Sequence, residues 1–105
     1  MENEWILISE YCNKSRVEPD FIFLLENEGL IVTEEHDNDK YIQISQLDDL
    51  ELFSRLHYEL SINVEGIDVI YNLLNKVRVM KQELNILRRQ MDQHPFFSED
   101  FFDDI

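Results

Sequence analysis

From Val64 to Gln93 the chain contains no proline, and only Gly66, close to the start, interrupts it. Proline breaks a helix by removing an N–H and clashing with the preceding turn, and glycine weakens one, so nothing here stops a helix once begun. Asn63 suits the N-cap, and the spacing predicts a final helix of about 28 residues, roughly 42 Å long. Along it Ile70, Leu73, Val77, Met80, Leu84, Leu87 and Met91 recur at alternating intervals of three and four, a heptad stripe. A helix of that length exceeds what a core of about 60 preceding residues covers, so one flank needs another partner. The stripe predicts a coiled-coil seam with a second copy of the chain. Burying seven such side chains is worth on the order of 10 kcal/mol gross per chain before ordering costs, enough for a homodimer. Packing of the whole stripe on its own domain is the alternative.

The remainder must be small. A chain of 105 residues with 44% hydrophobic content fits one domain with extensions, and two glycines and two prolines leave little material for loops. Trp5 to Ile8 is compatible with a brief strand feeding Ser9 as an N-cap. A first helix follows from Ser9 to Asn13, with Ile8, Tyr11 and Cys12 on one face, and Asn13 to Arg16 reads as a turn. Pro19 suits the first position of a second helix ending near Asn27; Phe21, Leu24 and Leu25 give it an apolar face, and Gly29 can take the left-handed conformation that closes it. Leu30 to Thr33 and Tyr41 to Ile44 read as the arms of a hairpin whose turn spans Glu34 to Lys40. Ser45-Gln46-Leu47-Asp48 resembles a capping box opening a third helix that carries Leu47, Leu50, Phe53, Leu56 and Leu60 and runs to about Ser61.

Two short helices across a tight turn, followed by a hairpin, make a helix-turn-helix with a wing. The expected organisation is a winged helix-turn-helix domain over residues 1–62, a long dimerisation helix over 63–93 and an acidic-aromatic tail over 94–105. The tail alternates pairs of phenylalanines with carboxylates, and either docks back on the dimer or serves as a short docking peptide.

Charge narrows the function. The net charge is −14, and residues 1–62 hold four basic groups, Lys14, Arg16, Lys40 and Arg55, against fifteen carboxylates. Such a surface repels phosphate backbones and anionic headgroups and attracts basic partners. The second helix, where a DNA reader of this class places its contacts, has Glu18, Asp20, Glu26 and Glu28 and no base, and the wing offers Lys40 alone. Neither nucleic acid nor membrane is expected as a partner.

Chemistry has little to work with. Cys12 is the lone cysteine, which rules out a disulfide within the chain and a multi-cysteine metal site, and it reads as a small buried apolar group. His36 with Asp37 and Asp39 is the densest set of metal-ligand types, but a hairpin tip calls for these residues anyway. His57 reads as a helix-surface histidine and His94 as an isolated helix-end one. Two glycines cannot make a phosphate-binding loop, and no nucleophile elbow is present. The expectation is therefore a binding module, not an enzyme, without cofactor or metal. No apolar run approaches the roughly 20 residues of a membrane span, and no basic segment followed by an apolar one opens the chain, so the expected location is the cytoplasm.

The element order, together with Leu56-His57-Tyr58-Glu59-Leu60-Ser61-Ile62-Asn63-Val64-Glu65-Gly66-Ile67, Leu73-Leu74 and Met80 to Arg88, resembles the chaperone-modulator CbpM family, whose fold is MerR-like. The resemblance runs to about Met91; the tail after His94 lies outside it. It implies a mainly α, MerR-like winged helix-turn-helix protein, with a small hairpin wing and a long C-terminal helix forming a coiled-coil dimer. It further implies binding to the J-domain of a CbpA/DnaJ-type co-chaperone, blocking productive engagement of the Hsp70 DnaK. A MerR-like DNA-binding transcriptional regulator is the alternative. The candidate partner surface is Asp48, Asp49, Glu51, Arg55, Tyr58 and Glu59 on the third helix, an acidic face with an aromatic beside the most family-like stretch; a merely solvated helix face is the plain alternative.

Overall fold

The computed structural model describes residues 4–92 and divides at residues 68/69 into two compact units. The first is built as β1 (Trp5–Leu7), α1 (Ile8–Ser15), α2 (Pro19–Asn27), β2 (Thr33–His36), β3 (Asp39–Gln43), a 3₁₀ turn over Ile44–Gln46, α3 (Leu47–Tyr58) and the first turn of α4 (Val64–Met91). The second consists of the remainder of α4. The fold is mainly α with a small antiparallel sheet of order β1-β3-β2.

Local chemistry explains most boundaries. At α2, Pro19 opens the helix, and Gly29 at φ +77° closes it, with the Gly29 N–H donating to Glu26 O and the Leu30 N–H to Leu25 O. This pair of hydrogen bonds satisfies carbonyls the helix end leaves unpaired, and it needs a residue tolerant of positive φ. At α4, Asn63 Oδ1 accepts the Gly66 amide at 2.8 Å, the side-chain cap that satisfies a free first-turn donor.

Three expectations are corrected. α1 begins at Ile8 with no side-chain cap, so Ser9 is inside the helix, and it runs to Ser15 before Arg16 turns left-handed at φ 57°. The hairpin is tighter than the turn over Glu34 to Lys40: Asp37 and Asn38 both have positive φ, the mark of a two-residue type I′ turn, so Glu34, Glu35 and His36 lie in β2. Leu30 to Val32 precede the strand, and Val32 is held instead by Gln46, whose side chain accepts its N–H at 2.9 Å and donates to its carbonyl at 2.8 Å. Finally, Ser45 caps nothing: a 3₁₀ turn leads into α3, which stops at Tyr58 rather than Ser61, with Ser61 left-handed at φ 58°.

The core of the first unit gathers Ile8 and Cys12 from α1, Val17 from the turn, Phe21, Ile22 and Leu25 from α2, Ile31, Ile42 of β3, Leu50 and Phe53 of α3, and Val64 and Ile67 of α4. Every buried side chain among the described residues is apolar. The Cys12 thiol is free, and burial pushes its pKa above the ordinary value. No helix among the described residues is long and apolar enough to cross a membrane. The tail and His94 lie outside the described residues.

Candidate protein-binding surface

The six candidate residues, five on α3 and Glu59 at its C-cap, do not form one face. At about 100° per residue, Asp48, Glu51, Arg55, Tyr58 and Glu59 fall along one exposed stripe, whereas Asp49 lies about 100° away from Asp48. Asp49 is half-buried and already engaged by a neighbour. Tyr58 also holds the fold together, because its hydroxyl accepts the Glu18 amide at 3.0 Å and so ties the end of α3 to the start of α2. Its ring packs edge-on to Phe21, with centroids 5.4 Å apart.

His57 is less superficial than a helix-surface residue. It stacks on Phe21 with ring centroids 4.5 Å apart, and its Nδ1 lies 3.0 Å from the Ile62 carbonyl, pinning the loop between α3 and α4. Ser15, Arg16, Val17, Ser54, Arg55, Tyr58 and Glu59 line a cleft of about 260 Å³ where two of the four bases of residues 4–68 meet. Neither arginine is ion-paired among the described residues.

On α2, the apolar face differs from the spacing of Phe21, Leu24 and Leu25. Phe21, Ile22 and Leu25 are buried; Phe23 and Leu24 are 55% and 47% exposed. Phe21 to Leu25 are five consecutive apolar residues, which wrap further round a helix than one face, so part of the run had to emerge. The three-and-four spacing of Phe21, Leu24 and Leu25 hides this exposure, which the unbroken apolar run signals. The outward face of α2 is thus Asp20, Phe23, Leu24, Asn27 and Glu28, all exposed and none basic.

The wing adds charge of the same sign. Lys40, its sole base, donates to Glu26 Oε1 at 3.3 Å, and Glu26 also accepts from Thr33 Oγ1 at 2.7 Å, so the base is spent on bracing α2 against the hairpin. The Thr33 hydrogen bond foremost, opposed next by desolvation and aided more weakly by the Lys40 hydrogen bond and charge, holds the Glu26 carboxyl below its ordinary value of 4.5. Glu26 therefore binds a proton more readily in the unfolded chain. Its stabilisation is complete above the ordinary value and is lost as pH falls through the lower folded one. Between about pH 5 and pH 3 the urea midpoint of the native chain should fall more steeply than that of Glu26→Gln; parallel curves would remove this coupling.

On α4, the stripe is uncovered within its own unit. Leu73, Val77, Met80 and Leu87 are exposed, and Ile70, Leu84 and Met91 are half-exposed. Lys81 and Arg88 flank one side of the stripe and Lys76 and Glu83 the other, positions that face a partner helix when the stripe pairs.

Against families of known proteins, the profile described as MerR HTH family regulatory protein matches residues 6–89. No curated protein and no solved structure is detectably similar.

Proposed function

This chain belongs to the MerR helix-turn-helix regulatory family, and on that premise we propose that it regulates a protein rather than a gene, as a homodimer that binds the J-domain of a DnaJ/CbpA-type co-chaperone and keeps it from Hsp70. The observation that carries this reading is the outward face of α2, which has carboxylates and two apolar side chains where a DNA reader needs Arg, Lys, Asn or Gln and offers Asn27 alone. The resemblance to the CbpM family supplies the partner, and a J-domain presents a basic helix. Charge complementarity then sets encounter rate and specificity, with a few apolar anchors setting affinity.

The stripe on α4 is the proposed dimer seam. In a parallel pair the attraction of Glu83 for Arg88 of the other copy is offset by Lys76 facing Lys81, whereas an antiparallel pair centred near Val77 and Met80 brings Lys76 opposite Glu83 twice. The flanking charges favour the antiparallel arrangement.

The family itself favours a second reading, a DNA-binding regulator, and the arginine pair at Arg16 and Arg55 with nearby Lys14 could meet phosphates. Three bases against a surface so acidic make few phosphate contacts. Binding of a purified J-domain at about 50 mM salt is the deciding experiment, since charge-driven association is strongest there; absence of binding would sink the co-chaperone reading. Reversing Asp48, Asp49 and Glu51 to lysine should weaken that association at least about tenfold and flatten its salt dependence. Affinity unchanged at both low and moderate salt would remove α3 from the contact.

A further inference from the structure

We propose that the outward face of α2 docks a basic amphipathic helix of another protein, with Phe23 and Leu24 as its apolar anchors and Asp20 and Glu28 as its charge contacts. The proposal rests on the reading of the chain as a protein-binding regulator and adds to the α3 surface a second contact, on α2.

α2 is nine residues long and has two faces. Phe21, Ile22 and Leu25 fill the core, while Asp20, Phe23, Leu24, Asn27 and Glu28, at i, i+3, i+4, i+7 and i+8, make an equally coherent outer surface. Single exposed hydrophobes are ordinary, but here a phenylalanine and a leucine stand on either side of a polar ridge formed by Asp20 and Asn27. That surface is rigidly presented. Tyr58 holds the start of the helix, Gly29 closes its end, and Glu26 braces its inner edge through Thr33 and Lys40. Fixed apolar anchors lose little freedom on binding, which is what gives such groups their share of affinity.

Charge selects the occupant. Neither Asp20 nor Glu28 has an ion pair among the described residues, and Glu34 and Glu35 of the adjoining strand add to the same field. A phosphate or an acidic peptide is repelled by it. A helix with apolar residues on one side and Lys or Arg beside them meets both requirements, filling the space about Phe23 and Leu24 while neutralising the carboxylates.

The test uses the full chain, its Phe23→Ser/Leu24→Ser variant, and two synthetic helical peptides of equal positive charge, one of leucine and lysine and one with serine replacing leucine. Both substituted positions are exposed, so the variant should keep the native circular dichroism and melting temperature. Amide shifts induced by the leucine–lysine peptide should cluster from Asp20 to Glu28. The variant should bind that peptide at least about tenfold more weakly while binding the serine peptide as the native chain does. Equal affinity of the two proteins for the leucine–lysine peptide, shifts centred on α3 or α4, or self-association abolished by the variant would overturn the proposal, the last by making a second copy the occupant. A purified J-domain offered to the same two proteins separates the two readings. Failure to bind the native chain, with the peptide response intact, sinks the co-chaperone identity alone; undiminished binding to the variant sinks the α2 surface alone.

Discussion

Phe53→Ala should lower the unfolding free energy by about 3–5 kcal/mol, read from the urea midpoint followed by circular dichroism. Phe53 is 0% exposed on α3 and is one of the largest fully buried side chains of a core to which α1, α2 and α4 also contribute apolar residues. Removing the ring leaves a cavity that the surrounding helices can only partly collapse to fill. Domains of this size carry only about 5–15 kcal/mol in total, so the variant should be largely unfolded well below the native melting temperature. A loss under about 1 kcal/mol would mean that the core is not centred on this residue.

Val77→Glu combined with Met80→Glu should abolish the proposed homodimer. The two positions are 46% and 57% exposed within the chain, so the substitutions take nothing from the core of the first unit. In a pair they set four carboxylates into the middle of an apolar seam, where unpaired charge is costly. A loss of at least about 4 kcal/mol, roughly a thousandfold in Kd, is expected, and sedimentation velocity should report a monomer at concentrations where the native chain is paired. A variant that sediments like the native chain would place the second copy somewhere other than the stripe.

The elements legible in the sequence are those fixed by local chemistry. Pro19 and Gly29 bracket α2, and Asn63 opens α4, because each acts through its own backbone or a bond to the next turn. What cannot be read depends on distant partners. The brief strand at Trp5 to Leu7 is legible as an apolar run, but not its pairing with Tyr41 to Gln43, and Val32 stays out of β2 because the Gln46 amide occupies both of its backbone groups. Polarity alone makes the hairpin tip too wide, whereas left-handed Asp37 and Asn38 make the whole turn by themselves. Position on a helix suggests a solvated His57, yet the ring of Phe21, thirty-six positions earlier, decides its surroundings. For the candidate surface, charge is legible because it is additive along a chain. Exposure is not, since whether Leu24 or Ile22 is covered depends on where the other helices pass.

The heptad stripe on α4 has a consequence for how such a chain can change length. Its information is a phase, carried by which side of the helix each apolar residue meets. Seven residues added between Leu73 and Leu87 leave that phase almost where it was and simply lengthen the seam, whereas two added residues turn everything beyond them by about 200° and split the stripe in half. Variation in this helix is therefore quantised in whole repeats, and the distance it spans can drift only in steps of about 10 Å.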